Sequence, residues 1–386
     1  MNDKNIILLP SGLQDILPDE AGSESKLVIN LLKNFSKFGY LQVKPPLMEF
    51  EKSLVKGSGK YLENQIFKVM DPISQEMMGV RTDMTIQVAR LASLRMTQEP
   101  KPLRLSYAGQ VLRVQGEGLY KERQLSQAGI EMIGDASSLS VAESVIIAVD
   151  SLKKLNVKDI SVDFSLSILS EIIMDSADTP LDLRKRILSL VEVKDAASIE
   201  LISDKSSLIF VDIINLANKN SSLGAEKILD ELAQIIINNG LIEAVKYIDS
   251  LKEIIAIVEK SQSDITITID PLERHGFEYH KGVSFSFFSK NSKEELGRGG
   301  KYITDFEDIR EDAVGFTLSV NALKRMLPEA KAKNRVYIPI GVSMSETEKL
   351  REENYATIHA ICAGGADKAR ELNCNYIYAN GEVKPL

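Results

Sequence analysis

The stretch LRLSYAGQVLRVQGEGLYKERQLSQAGIEMIG, Leu103 to Gly134, decides how the chain is read. Its two ends alternate apolar and polar residues and flank a glycine-containing connection, which predicts a long β-hairpin. Successive strand side chains point to opposite faces, so Gln127, Gly129 and Glu131 share one face of the returning strand, with Arg123 and Leu125. A carboxylate and an amide on one face can hold an ammonium or an imidazole N–H. Taken singly, each of these residues is equally at home on a strand face that only meets water.

On the N-terminal side, SESKLVINLLKNFSKF (residues 23–38) spaces Leu27, Leu31, Phe35 and Phe38 three and four apart, an apolar helix face that Gly39 ends. GYLQVKPPLMEF follows as a strand interrupted at Pro45-Pro46. IFKVMDPISQEMMGVRTDMT reads as two strands around a turn at Asp71-Pro72, and IQVARLASLRM as a helix. Beyond the hairpin, residues 136–262 form a helical insertion with one brief strand, DISVDFS, after which DITITIDP, GVSFSFFS and AVGFTLSV complete the sheet. The expected fold is α+β: a mixed sheet flanked by helices over residues 1–328, then, past the linker PEAKAKNR, a small α/β unit over 333–386.

Composition narrows the function. With 44% hydrophobic and 26% charged residues the 386-residue chain is that of a globular protein, and a net charge of -8 argues against a broad nucleic-acid surface. No apolar run approaches the roughly 20 residues that span a bilayer, and the first residues do not form a signal peptide, so a cytoplasmic protein is expected. Cys362 and Cys374 make no CxxC pair, and His275, His280 and His359 lack metal-ligand spacing, so neither a metal nor another cofactor is expected. GRGGKY (297–302) has neither the phosphate-loop nor the dinucleotide spacing; its glycines fit a bulge or a close backbone approach. No nucleophile motif such as GxSxG occurs.

Polar residues nevertheless recur on the predicted strands, in RTDMT (81–85), RVQ (113–115), the returning hairpin strand, FEYHKG (277–282) and GRGGKY. In this order the segments resemble a class II histidyl-tRNA synthetase over almost the whole chain. SGLQDILPDE resembles that family's N-terminal signature, and GYLQVKPPLMEF resembles motif 1, the class II dimer interface, with its proline at Pro46. VRTDMT stands in place of RPEGT, the hairpin resembles motif 2 and the strand after it, and FEYHKGVSF and GGKY resemble the two histidine-specific segments. AVGFTLSVNAL stands in place of motif 3, and the C-terminal unit is similar to a shortened anticodon-binding domain.

The resemblance implies a histidine pocket made of Asp83, Thr85, Arg113, Gln127, Glu131, Tyr279, His280 and Tyr302. Asp83 and Thr85 stand where that family holds the α-amino group, with Gln127 near, and Glu131 is available to the imidazole or ammonium. Tyr279 and Tyr302 match the aromatic residues around the imidazole, and His280 replaces a second tyrosine. The nucleotide half is depleted. Arg113 keeps the α-phosphate position, but Gln115 replaces a glutamate, GEGLYKER lacks the usual basic loop, and LSVNAL, with Asn321, replaces GLER and its arginine. The arginine expected before GFEYH is displaced, Arg274 lying one residue off and His275 in its place.

A retained amino-acid half beside a lost nucleotide half resembles the regulatory subunits of ATP phosphoribosyltransferase, which RTDMTIQVAR and YHKG match better than any synthetase. What that resemblance implies is a non-catalytic, histidine-sensing chain that self-associates through motif 1. It would join a short-form catalytic subunit for the first step of histidine synthesis and bind no tRNA. Two other readings make different expectations: a divergent synthetase would exchange pyrophosphate into ATP with histidine, and a purely structural partner would bind no histidine.

Overall fold

The computed structural model describes residues 8–55, 63–116, 119–219, 223–273, 280–307, 309–327 and 334–386. It divides into two compact units, one of Met1–Ile16 and Ser23–Pro328, the other of Leu17–Gly22 and Glu329–Leu386.

The first unit is built on an eight-stranded sheet. Its strands, numbered with all others along the chain, are β1 (Leu41–Gln42), β5 (Leu103–Leu112), β6 (Gln124–Ile133), β7 (Ile160–Leu166), β8 (Thr266–Ile269), β9 (His280–Ser289), β10 (Gly297–Phe306) and β11 (Ile309–Ser319), in the spatial order β1-β5-β6-β11-β10-β9-β7-β8. The six inner strands are antiparallel, and β1 and β8 add in parallel at the edges. The hairpin is β5 and β6, in continuous register from Leu103↔Ile133 to Leu112↔Gln124. Its returning strand begins at Gln124, which leaves Arg123 outside the alternation: that side chain donates to the Ser11 carbonyl and lies over the Phe67 ring. Within the stretch 136–262, β7 joins this sheet between β9 and β8.

Pairing and period two give the sheet two unlike faces. Ala128, Ile130, Met132, Phe316, Leu318, Phe285, Phe287, Val162 and Phe164 form one face, fully buried against the helix Ser138–Lys154 and the first helix, Pro18–Lys37. Edge-to-face rings run along it, Phe35 on Phe316, Phe316 on Phe287, Phe287 on Phe285 and Phe285 on Phe164, the geometry aromatic quadrupoles favour. The opposite face reads Gly109, Tyr107, Gln127, Gly129, Glu131, Thr317, Gly315, Arg298, Gly300, Ser286 and Ser284 across five adjacent strands. Such a face cannot serve as a second apolar core. Its small residues leave room above the backbone, and its polar residues need partners there.

One end of the polar face is covered by the helix Thr85–Arg95, whose Ile86, Val88, Ala89 and Ala92 are buried in a smaller cluster with Leu105, Tyr107 and Tyr302. A three-stranded sheet, β2 (Met48–Phe50), β4 (Met77–Val80) and β3 (Lys68–Met70), accounts for the strands expected around Pro45-Pro46 and Asp71-Pro72. The Asp71 carboxylate accepts from the amides of Ile73 and Ser74 and makes that turn. The two prolines separate β1 from β2, which belong to different sheets, so the single interrupted strand of the sequence is two short ones.

The second unit has a sheet of β12 (Arg335–Ile338), β13 (Ala356–His359), β14 (Tyr376–Ala379) and β15 (Glu382–Pro385) in the order β13-β12-β14-β15. The first three are parallel and the last, which the sequence reading did not include, closes antiparallel through the Asn380-Gly381 turn, both residues at positive φ. Tyr337, Ala369 and Cys374 form its small core. Among the described residues of the chain no helix is long and apolar enough to cross a membrane.

Candidate functional site

Glu131 lies at the centre of the polar face and is 1% exposed. On β6 it faces Leu105 of β5 on one side and Gly315 of β11 on the other. A Cβ at Gly315 would stand 2.0 Å from Glu131 Oε2, so the carboxylate lies in space that only glycine leaves open. The Tyr107 hydroxyl donates to Glu131 Oε1 at 3.1 Å and the Tyr302 hydroxyl to Oε2 at 2.7 Å. Burial pushes the Glu131 carboxyl up to about 8, against the opposing effect of its hydrogen bonds from Tyr302, Thr85 and Tyr107; nearby Asp83 adds to the rise. Burial likewise holds the Tyr107 phenol well above its ordinary value, so that phenol remains a donor.

Tyr107 connects the two ends of the site. Its hydroxyl is 3.3 Å from Thr85 Oγ1 and 2.7 Å from Thr317 Oγ1 as well as bonded to Glu131. Thr85 opens the covering helix, and its amide donates at 2.7 Å to Oδ1 of Asp83, the residue before the N-cap Met84, which satisfies one free N–H at the helix start. Asp83 is thereby anchored by one oxygen. The other, Oδ2, is buried and has no hydrogen-bond partner among the described residues, and the same holds for Gln127 Oε1, one turn of the pleat from Gly129 and Glu131. Two buried acceptors left open beside a buried carboxyl are costly unless a donor fills them, because a desolvated acceptor without a partner loses about 1–3 kcal/mol.

Hydrogen bonds thus join Asp83, Thr85, Glu131 and Tyr302 through Tyr107, and Gln127 shares the face of β6 that carries Glu131. Arg113 lies just past β5, where its Nε donates to the Thr82 carbonyl at 3.3 Å, next to Asp83 in the chain. Tyr279, Arg274 and His275 lie outside the described residues, and of His280 only the backbone is described, paired with Tyr302 at the start of β9. The register shift between Gly300 and Tyr302 is the bulge expected of GRGGKY; it falls immediately before the residue that reaches Glu131. Two residues of the site escape a reading of the single strand: Tyr107 and Thr317. Both stand opposite Gly129 in the register, so pairing the hairpin residue by residue marks Tyr107 as a neighbour of the 127–131 face.

In the nucleotide half, side chains bind one another. Asn321 accepts from the Ser126 amide at 2.8 Å and donates to Glu122 Oε2 at 2.9 Å. Glu122 Oε1 receives Arg325 at 2.8 Å, while the rest of that guanidinium grips Glu294 through two bonds of 2.7 and 2.8 Å. Gln115 is exposed and its amide donates to Gln65. Among the described residues no three His, Cys, Asp or Glu side chains are grouped as a metal site would require.

Residues 12–323 match the family model described as Histidyl-tRNA synthetase. Curated relatives match over nearly the whole chain. The protein called ATP phosphoribosyltransferase regulatory subunit in Rhodospirillum centenum is 36% identical over 385 residues, covering 99% of this chain and 97% of its own. The protein of the same name in Paramagnetospirillum magneticum is 37% identical over 374 residues, covering 96% of each. Among solved structures, one titled ATP phosphoribosyltransferase regulatory subunit/histidyl-tRNA synthetase, from Bacillus halodurans, superposes with a TM-score of 0.80 at 17% identity over 96% of this chain and 97% of that one. The histidyl-tRNA synthetase of a Nostoc species gives 0.77 at 18% identity over 96% and 90%. The fold is therefore that of the class II histidyl-tRNA synthetases, and the chain belongs to the ATP phosphoribosyltransferase regulatory subunit family.

Proposed function

We propose that the chain is a non-catalytic subunit whose pocket around Glu131 binds free histidine, and that it joins a short-form catalytic subunit in the ATP phosphoribosyltransferase that opens histidine synthesis. The observation that carries the reading is the pair of open acceptors, Asp83 Oδ2 and Gln127 Oε1, beside the buried Glu131. An α-ammonium supplies donors to the first two and an imidazole N–H supplies one to the third. Arg113, Tyr279 and His280 complete the proposed ligand set on the strength of the sequence resemblance. Histidine in this pocket stabilises one conformation of the assembly and so sets the partner's activity, a coupling of about 1–3 kcal/mol that must run in both directions.

Two further parts of the reading concern contacts. The three-stranded sheet and its approach expose Leu47, Phe50, Val69, Met70, Ile73 and Met77, Ile73 at 92%. Leu47 and Phe50 lie on the motif 1 segment and the others on the strands and turn beside it, and this concentration of exposed large apolar side chains supports self-association there. The small second unit supports the expectation that tRNA is not a ligand, since a four-stranded sheet with a three-residue core leaves little surface for a polyanion.

Synthetase activity is the other reading, and the side-chain bonding in the nucleotide half disfavours it. Glu122 and Asn321 add a carboxylate and an amide where cations would have to meet a pentacoordinate phosphate, and loss of one preorganised charge there costs about 3 kcal/mol. The test is calorimetric titration with L-histidine together with histidine-dependent pyrophosphate exchange into ATP. Binding without exchange is the expected result; exchange at synthetase-like rates would overturn the non-catalytic assignment.

A further inference from the structure

The helix Val320–Met326 stands in place of motif 3, and its polar side chains all reach other elements of the fold. Lys324 pairs with Glu24 of the first helix at 3.6 Å, and Glu24 in turn receives Gln110 of β5 at 3.0 Å. Asn321 joins the Ser126 amide of β6 to Glu122, and Arg325 joins Glu122 to Glu294 on the turn between β9 and β10. Arg325 also lies over the Tyr120 ring, 4.2 Å from its centroid. Arg325 therefore holds the segment Leu119–Arg123 at two points, the Glu122 carboxylate and the Tyr120 ring. The N-terminal segment adds a third hold, Gln14 donating to Glu122 at 3.4 Å and Gly12 accepting from the Arg123 amide at 2.9 Å.

The geometry is that of a strong pair and not of an incidental surface one. Arg325 makes a two-pronged contact to Glu294 and a separate bond to Glu122, and the three side chains are 15–25% exposed. Bidentate, partly desolvated networks are the exception to the rule that surface ion pairs contribute little. The network also reaches the pocket without a break. Ser126, whose amide Asn321 accepts, is the residue before Gln127, and across the sheet it pairs with Gln110. Moving Gln127 toward a ligand moves the amide that Asn321 holds.

We propose that Arg325 is a latch: through Glu122 and Asn321 it fastens the Leu119–Arg123 segment to strand β6, so that filling the pocket and closing the segment are coupled. The coupling rests on the histidine reading given above, whereas the fastening does not. A segment that answers to the pocket in this way carries the pocket's state to the surface, where Tyr120 and Leu119 are exposed.

Hydrogen–deuterium exchange of the peptide covering residues 119–125, in the full chain with and without saturating L-histidine, reads the latch directly. In the wild type histidine slows exchange there. In Arg325→Met, and in Glu122→Gln as a milder second variant, exchange without ligand rises about 5-fold or more and histidine no longer changes it, while histidine affinity shifts by the reciprocal factor. Lys101→Met, which breaks a pair with Glu311 elsewhere on the sheet, leaves the peptide unchanged. Unaltered exchange in both variants would overturn the latch, and loss of protection with an intact histidine response would overturn the coupling alone. Failure of the wild-type chain to bind histidine would sink the pocket reading and the coupling together, leaving the fastening to be judged from the ligand-free comparison.

Discussion

Tyr302 donates its hydroxyl to Glu131 Oε2 across 2.7 Å, from a strand two places away in the sheet and 171 residues on in sequence. The bond joins a residue of the motif 2-like hairpin to one of the segment that resembles the second histidine-specific one, and it fixes where the buried Glu131 carboxyl points. Removing the hydroxyl should cost ligand affinity more than fold stability, because Tyr107 still donates to the other oxygen. Tyr302→Phe is expected to lower stability by about 1 kcal/mol and to weaken histidine binding by about tenfold. Urea unfolding and calorimetry on the same preparation measure the two; a larger loss in stability than in binding would mark Tyr302 as structural only.

The raised Glu131 carboxyl sets a stability–pH relation of definite sign. Its value rises from 4.5 to about 8 on folding, so between those limits the folded chain holds a proton that the unfolded chain releases. The contribution is most favourable below pH 4.5 and is lost as pH rises through 8. Asp163, pushed up to about 6 by burial on β7, acts in the same sense over the lower part of that window. Glu131→Gln should therefore flatten the fall in ligand-free melting temperature between pH 6 and 8, and Asp163→Asn only the part below 6. A fall between pH 6 and 8 that Glu131→Gln leaves unchanged would show the carboxyl to be already ionised in the empty folded chain.

Gly315→Ala tests the space over the sheet. The added methyl would lie 2.0 Å from Glu131 Oε2 and 2.3 Å from the Ile130 carbonyl, and the second neighbour is backbone that cannot swing away. A loss of about 1–3 kcal/mol in stability is expected, together with abolished histidine binding. Binding that survives in a folded Gly315→Ala chain would place the ligand elsewhere.

Much of this fold was legible because the sequence signals are periodic and local. The hairpin alternation marked β5 and β6, though not their register, and the three- and four-residue spacing of Leu27, Leu31 and Phe35 marked the first helix. β10 shows where such reading weakens: GRGGKY has few apolar residues to alternate, and its glycines matter through what approaches them, such as the Phe285 ring 2.6 Å from a Cβ built on Gly299. The site was legible in part. Asp83, Thr85, Gln127, Glu131 and Tyr302 follow from motif order, but Tyr107 and Thr317 become visible only through cross-strand pairing. Arg325 was missed because its partners, Glu122 and Glu294, are distant in sequence and belong to no motif.

Self-association through the motif 1 segment and the strands and turn beside it predicts that one charge on their shared exposed apolar surface suffices to weaken it. Ile73→Asp should shift sedimentation of the chain toward the monomer without lowering the monomer's unfolding free energy by more than about 0.5 kcal/mol, since the residue is 92% exposed. An unchanged sedimentation coefficient at micromolar concentration would move the contact to another face.

The most direct measurement is inhibition by histidine of the complex formed from this chain and a short-form ATP phosphoribosyltransferase catalytic subunit, before and after Glu131→Ala, with Gln127→Ala in parallel. The account predicts that both variants still assemble and activate the partner but need at least about tenfold more histidine for half-inhibition. Half-inhibition at the wild-type concentration in a complex that contains Glu131→Ala would contradict it and remove the pocket from the regulatory mechanism.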